Sequence, residues 1–123
     1  MISTILGLSA YGQNRTEIKS LSPQEYNCLI HTDSSAIILD VRQEQEYKES
    51  HLEGAILLNI LSPESFDAGL KEFNKEKTYY LYCKSGRRSR LAALRMQKEG
   101  FKVFEMEGGI QAWIKSGMPT INP

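Results

Sequence analysis

Short apolar segments that alternate with helix patterns constrain the fold of this chain most strongly. Three runs of apolar, aromatic or β-branched residues lie at Ala36–Leu39, Ala55–Leu58 and Thr78–Tyr82. Runs without polar alternation are typical of strands that are covered on both faces. Because helix patterns separate these runs, the connections suit crossovers between parallel strands. The sequence therefore predicts an α/β fold in which helices flank both faces of a small parallel sheet of about five strands.

Further segments complete this alternation. Two more strands are predicted at Glu17–Leu21 and Lys102–Met106. The predicted helices cover five segments: Gln24–Ile30, Glu44–Glu49, Phe66–Phe73, Ser89–Glu99 and Ile110–Lys115. Ser-Pro pairs precede two of these helices and are typical of helix starts, with serine as the N-cap and proline in the first helical position.

The helix predicted at Ser89–Glu99 is amphipathic. Its apolar positions are Leu91 and Leu94, with Ala92 and Met96 as further candidates. We expect these residues to form the face that packs on the sheet.

Length, charge and cysteine content exclude several classes of protein. The chain has 123 residues, 41% of them hydrophobic and 24% charged, which suits one globular domain. Its 15 basic and 15 acidic residues cancel, so no overall field attracts nucleic acid or an anionic membrane. The two cysteines are too few for a disulfide framework, and the two histidines are isolated. We therefore expect no metal site.

The first residues form a separate segment. Ile2–Ala10 is mostly apolar but too short to span a bilayer, and no Lys or Arg precedes it. We predict a poorly ordered leader or export-signal remnant over residues 1–14, a folded domain over residues 15–123, and no integral membrane span. The compartment stays open: the cytoplasm, or the bacterial periplasm if residues 1–14 derive from an export signal.

The candidate site follows the third apolar run. Ligands of parallel α/β sheets bind beyond the carboxyl ends of the strands, and the sequence there is Cys-Lys-Ser-Gly-Arg-Arg-Ser over residues 83–89. Gly86 permits a tight turn, whose amides can form an anion cradle in front of the next helix. The loop also carries three cations: Lys84, Arg87 and Arg88. These features favour a thiolate at Cys83, which we predict to be the nucleophile.

Each cysteine also has a structural interpretation. Cys83 could be a buried residue at a strand end, with the neighbouring cations simply exposed to solvent. The combination of cysteine, glycine and three cations between a buried strand and a helix favours the functional interpretation. Cys28 lies in a predicted helix without a cation cluster, so we expect a packed or idle thiol there.

The loop at residues 83–89 resembles the Cys-x-x-Gly-x-Arg-Ser active-site loop of single-domain rhodaneses. Three further motifs resemble those of the family in the same order: Leu39–Arg42 with Glu46-Tyr47, His51–Ile56, and Gly108–Trp113 with Gly117–Pro119. Together the four motifs are specific, and the resemblance covers about residues 18–119. Ser50 replaces a usual glycine and Leu57 a common asparagine, both outside the catalytic loop.

This resemblance implies a rhodanese-like fold with Cys83 at the base of a cradle of main-chain amides. It also implies that Cys83 takes a sulfur atom from a small anionic donor such as thiosulfate. The sulfur is then carried as a persulfide and passed to a thiol or cyanide. The residues expected to bind the substrate are those of the loop: Lys84, Ser85, Gly86, Arg87 and Arg88. No metal or organic cofactor is needed.

Two charged residues at the end of the first apolar run have two interpretations. Asp40 and Arg42 follow a buried strand, so they could border the site. Alternatively they are structural, with Asp40 holding the loop by hydrogen bonds and Arg42 pairing with Glu46 across one helical turn.

Two other classes of protein remain open. One is a phosphatase or arsenate reductase on the same fold, which also uses a cysteine in an amide cradle. The loop is one residue shorter than the loop of such phosphatases, because only four residues separate Cys83 from Arg88. The other class is a non-catalytic rhodanese-like module that binds a partner, and the presence of the cysteine disfavours it.

Overall fold

The computed structural model describes residues 17–123, so the leader predicted over residues 1–14 lies outside the described part of the chain. The strands are β1 (Lys19–Leu21), β2 (Ala36–Asp40), β3 (Ile56–Leu57), β4 (Thr78–Tyr82) and β5 (Lys102–Met106). The helices are α1 (Pro23–Thr32), α2 (Glu44–Glu49), α3 (Pro63–Leu70), α4 (Arg87–Lys98) and α5 (Gly109–Lys115). Within residues 17–123, none of these helices is long and apolar enough to cross a bilayer.

The strands form one parallel sheet in the order β1-β5-β4-β2-β3. Strand β4 is central and pairs with β2 over its whole length and with β5 over its first four residues. This arrangement confirms the predicted α/β fold with a five-stranded parallel sheet. Strand β3 is shorter than predicted, because only Ile56 and Leu57 pair with β2.

Alternate residues of β4 face opposite helical layers, which explains why this strand has no exposed position. Tyr79, Leu81 and the adjoining Cys83 belong to the core between the sheet and helices α3 and α4. Tyr80 and Tyr82 belong to the core under helices α1 and α5. The sheet is therefore covered on both faces, as the unbroken apolar runs predict.

Two helices begin two or three residues earlier than predicted. Helix α3 was expected over Phe66–Phe73 but begins at Pro63 and ends at Leu70. A tighter turn follows, in which the Glu72 amide donates to the Gly69 carbonyl at 3.0 Å. Helix α4 begins at Arg87 and not at Ser89. Both arginines of the loop therefore lie inside the first turn of α4, next to its positive dipole end.

The predicted buried face of α4 is half right: Ala92 and Met96 are buried, but the two leucines are not. Leu91 is 60% exposed and Leu94 is 37% exposed, so neither side chain packs into the core. The buried face consists of Ser89, Ala92, Ala93 and Met96. This spacing also fits one side of a helix, and its small side chains let α4 lie close to the central strands. Hydrophobicity alone favoured the leucines, whereas close contact with the sheet selects the small residues.

Candidate active site

Cys83 lies at the mouth of the central strand and is only 1% exposed. Its sulfur accepts a hydrogen bond from the Gly86 amide, with an N–Sγ distance of 3.1 Å. Gly86 has a φ angle of +108°, a conformation that residues with a side chain rarely adopt. The turn between β4 and α4 therefore places one main-chain donor on the sulfur and needs glycine to do so.

Helix α5 holds the loop from its other side. The Ile110 amide donates to the Cys83 carbonyl at 2.9 Å, and the Gln111 amide donates to the Lys84 carbonyl at 3.2 Å. A Cβ atom at Gly109 would lie 2.4 Å from the Lys84 carbonyl oxygen. The glycine thus permits this close approach, and the helix amides hold two carbonyls of the loop in place.

One loop arginine is paired and partly buried. Arg88 donates to both carboxylate oxygens of Glu46 in α2, at 2.8 and 2.9 Å. The Arg88 guanidinium lowers the pKa of Glu46 to about 2. Glu46 in turn raises the pKa of Arg88, and Cys83 contributes to that shift through its own charge. Arg88 therefore carries a permanent positive charge near the sulfur, in a position fixed by Glu46.

Three further side chains of the loop point to solvent. Lys84, Ser85 and Arg87 are exposed. Ser85 and Arg87 line an open groove of about 430 Å³ beside the loop, and the exposed Leu91 forms part of its wall. The loop thus combines a buried sulfur with a cationic, solvent-facing rim.

Asp40 and Arg42 form a buried ion pair with each other. Arg42 donates to both carboxylate oxygens of Asp40, at 2.9 and 2.7 Å, and the Tyr82 hydroxyl donates to the same carboxylate at 2.7 Å. The alternative in which Arg42 pairs with Glu46 is wrong, because Arg42 binds Asp40 and Arg88 binds the Glu46 carboxylate. Asp40 does not hydrogen-bond the loop itself; it binds Tyr82, the residue that precedes Cys83.

Two residues near the sulfur were missing from the predicted set. Ser89 is fully buried, and the Cys83 thiol donates to its hydroxyl with an Sγ–Oγ distance of 3.6 Å. The Ser89 hydroxyl donates to Glu105 of β5 at 2.7 Å, and this glutamate is 2% exposed. Ser89 is the last residue of the loop motif, so its position was a usable signal. Glu105 carried no comparable signal, since its burial depends on the pairing of β5 with β4 and β1.

Within residues 17–123, no three His, Cys, Asp or Glu side chains lie close enough together to hold a metal ion. The residues near the sulfur are instead hydrogen-bond donors, one fixed cation and one buried carboxylate. Such a site can stabilise a sulfur anion at the mouth of the sheet.

Fold and site together define an α/β domain whose cysteine lies in a strand-to-helix turn at the carboxyl end of a parallel sheet. A family model described as "Rhodanese-like domain" matches residues 22–116. The chain belongs to this rhodanese-like family.

Two proteins of Bacillus subtilis (strain 168) are similar to this chain. "Putative sulfurtransferase YtwF" is 31% identical over 98 residues, which are 79% of this chain and 91% of that protein. "Putative sulfur carrier protein YrkF" is 33% identical over 102 residues, which are 82% of this chain and 54% of that protein. The chain thus spans about half the length of this second relative.

Solved structures show the same fold. The crystal structure of a rhodanese-related protein from Thermoplasma volcanium has a TM-score of 0.75 and 26% identity, and the match covers 84% of this chain and 97% of that one. The family and these relatives together support sulfur transfer as the general function.

Proposed function

We propose that this chain is a sulfurtransferase that carries sulfur as a persulfide on Cys83, with a small anionic donor such as thiosulfate and a thiol or cyanide as acceptor. The observation that carries the proposal is the Gly86 amide, 3.1 Å from a cysteine sulfur at the mouth of the sheet. A main-chain donor in this position stabilises a sulfur anion without any rearrangement of the protein during the reaction.

The reaction has two displacement steps. In the first, the Cys83 thiolate attacks the outer sulfur of the donor, a new S–S bond forms, and the old bond of the donor breaks. With thiosulfate, sulfite leaves with the bonding electron pair. In the second step, the acceptor attacks the outer sulfur of the persulfide, and the Cys83 thiolate leaves. Cys83 returns to its starting state, so no oxidant or cofactor is consumed.

The loop cations have different roles in this proposal. Lys84 and Arg87 are exposed at the rim, where positive charge raises the local concentration of an anionic donor. Arg88 is fixed by Glu46 and supplies a standing charge near the sulfur. Ser85 and Gly86 complete the turn, and Gly86 provides the donor to the sulfur.

Asp40 and Arg42 support the site indirectly. Their buried ion pair binds the Tyr82 hydroxyl, and Tyr82 precedes Cys83 in the chain. We therefore assign them to the support of the strand end, and not to contact with the substrate.

The main competing activity is phosphate hydrolysis by the same cysteine. A tetrahedral phosphate needs a ring of donors wide enough for three oxygens and an arginine folded over them. Here the loop is short, and Arg88 is held by both oxygens of Glu46. A phosphatase also benefits from a general acid, and the exposed side chains of the loop are basic or hydroxyl-bearing. These features favour the transfer of a single sulfur atom.

The test is a parallel assay of the purified protein and its Cys83→Ser variant on thiosulfate with cyanide and on an aryl phosphate. We expect thiocyanate from the wild type only, and no Cys83-dependent release of phosphate. Phosphate release that requires Cys83, with no thiocyanate, would replace this proposal with the phosphatase. Neither product from the wild type, together with partner capture, would favour a binding module.

A further inference from the structure

The buried carboxylate of Glu105 is linked to the Cys83 sulfur by hydrogen bonds through a single residue, Ser89. Glu105 is 2% exposed, and its two oxygens accept from Ser89, at 2.7 Å, and from Ser20 of β1. No Lys or Arg side chain forms a direct ion pair with it within residues 17–123. Burying a carboxylate without a neighbouring cation is costly, and hydrogen bonds offset only part of that cost. The two-displacement reaction above makes no use of Glu105.

Ser89 has a single hydroxyl proton and three neighbouring acceptors. The Glu105 oxygen is 2.7 Å away, the Gly86 carbonyl 3.2 Å and the Cys83 sulfur 3.6 Å. An ionised carboxylate is the strongest of these acceptors and is also the nearest. The proton therefore points to Glu105, and Ser89 presents a lone pair to the sulfur. In this orientation the Ser89 hydroxyl accepts a hydrogen bond from the S–H group of a thiol and cannot donate one to a thiolate.

We propose that Glu105, acting through Ser89, is the positioning residue that sets whether Cys83 is a thiol or a thiolate. With Glu105 ionised, Ser89 accepts from the thiol. When the thiol proton passes to Ser89 and the Ser89 proton passes to Glu105, the products are a thiolate and a neutral carboxyl group. The Ser89 hydroxyl then donates to the sulfur, so one negative charge is shared between two buried groups. This inference rests on the proposed function of Cys83.

This transfer of a proton from Cys83 through Ser89 to Glu105 is reversible. One S–H bond breaks and one carboxyl O–H bond forms, and the hydroxyl of Ser89 exchanges one proton for another. After sulfur has passed to the acceptor, the released thiolate can recover the proton by the reverse route. The thiolate is thus reached without loss of the proton from the network.

Several other charged or titratable groups face this network. Arg90 of α4 donates to the Ser20 hydroxyl at 3.0 Å, on the far side of Glu105 from the sulfur. Arg88 lies near Cys83, and Arg87 and Glu107 line the groove beside Glu105. On the opposite face of the sheet, burial raises the pKa of Tyr26, and neighbouring groups that include Glu105 raise it further. Of these groups, only Glu105 joins Cys83 through one shared hydroxyl.

The experiment measures the alkylation rate of Cys83 against pH in a Cys28→Ser background, without any sulfur donor. Glu105→Gln keeps the shape of the side chain, removes its charge and frees the Ser89 hydroxyl to donate to the sulfur. We expect its profile to move to lower pH by about one unit. Glu107→Gln is the matched control, because it removes an exposed charge two positions along the chain, and its profile should stay with that of the parent.

The role of Ser89 is tested by combining variants. In a Ser89→Ala background, Glu105→Gln should move the profile by less than half as much, since the hydroxyl that links the two groups is gone. An unchanged profile in Glu105→Gln would overturn the proposal, as would an equal shift in Glu107→Gln. A full shift in the Ser89→Ala background would mean that Glu105 acts through space alone. Because no donor is present, these outcomes are independent of whether Cys83 carries sulfur.

Discussion

The Ile110 amide donates to the Cys83 carbonyl at 2.9 Å, so the C-terminal helix holds the residue that bears the reactive sulfur. This bond joins two segments that are far apart in the sequence. It makes the position of the loop depend on the main chain of α5. Gly109, which precedes Ile110, permits this contact, because a Cβ atom there would lie 2.6 Å from the Cys83 carbonyl oxygen.

Gly109→Ala should therefore damage catalysis. The new methyl group would lie 2.4 Å from the Lys84 carbonyl oxygen, and the residue would have to keep a φ angle of +64°. Displacement of the loop by about 1 Å would lower the transfer rate by roughly 100-fold. Gly117→Ala is the control, because Gly117 has a φ angle of +84° but nothing within 4 Å of its added methyl. Similar activity losses in both variants would show that backbone strain, and not contact with the loop, is responsible.

The pair of Glu46 and Arg88 predicts an acid-sensitive component of stability. Arg88 lowers the pKa of Glu46 from 4.5 to about 2 in the folded protein. The folded state therefore gains stability from this carboxylate above pH 4.5, and loses it as the pH falls from 4.5 towards 2. Glu46→Gln should flatten this part of the curve of unfolding free energy against pH, by about 2 kcal/mol.

Urea unfolding at a series of pH values measures this effect. Glu44→Gln is the matched control, since Glu44 lies in the same helix and pairs with Lys48 at the surface. We expect the unfolding free energy of Glu44→Gln to fall between pH 4.5 and 2 as steeply as that of the wild type. If that of Glu46→Gln falls as steeply, other carboxylates are responsible for the loss of stability in acid.

Lys84 and Arg87 should act on donor binding more than on chemistry. Neutralising either residue with glutamine removes charge from the rim of the loop but leaves the sulfur and its Gly86 donor in place. We expect KM for thiosulfate to rise more than kcat falls, which is typical of lost ground-state binding. Lys98→Gln, at the C-terminal end of α4, should leave both KM and kcat unchanged. An unaltered KM in both loop variants would contradict the recruiting role.

The buried pair of Asp40 and Arg42 should matter for stability. Asp40→Asn leaves the Arg42 guanidinium in a site where it is 4% exposed and has lost its counter-charge. Removing one partner of such a pair costs about 3–5 kcal/mol. Chemical unfolding measures this cost, and Asp67→Asn, which breaks an exposed pair with Arg95, is the control. Equal losses in the two variants would contradict the assignment of Asp40 to structural support.

Local patterns predicted much of the fold, because the signals lie within single segments. The unbroken apolar run at Thr78–Tyr82 indicates a strand covered on both faces, and it forms the centre of the sheet. The position of Cys83 directly after that strand follows from the same pattern. Loop geometry could be anticipated because Gly86 supplies a conformation that few other residues adopt.

Features that depend on packing between distant segments could not be predicted in this way. The leucines of α4 have the right periodicity for burial, but the sheet accepts the small residues on the adjacent face. Sequence proximity offered Arg42 as a partner of Glu46, whereas Arg88, 42 positions away, binds it. Glu105 is buried only because β5 lies between β4 and β1. In each case the partner is defined by the tertiary structure.

The central claim, that Cys83 is the sulfur carrier, is tested most directly by intact mass after incubation with thiosulfate, before and after addition of cyanide. Cys28 is an exposed thiol on α1, so Cys28→Ser and Cys83→Ser form a matched pair. The wild type and Cys28→Ser should gain the mass of one sulfur atom and lose it with cyanide, whereas Cys83→Ser should gain nothing. A cyanide-sensitive sulfur on Cys83→Ser, or its absence from Cys28→Ser, would contradict the account.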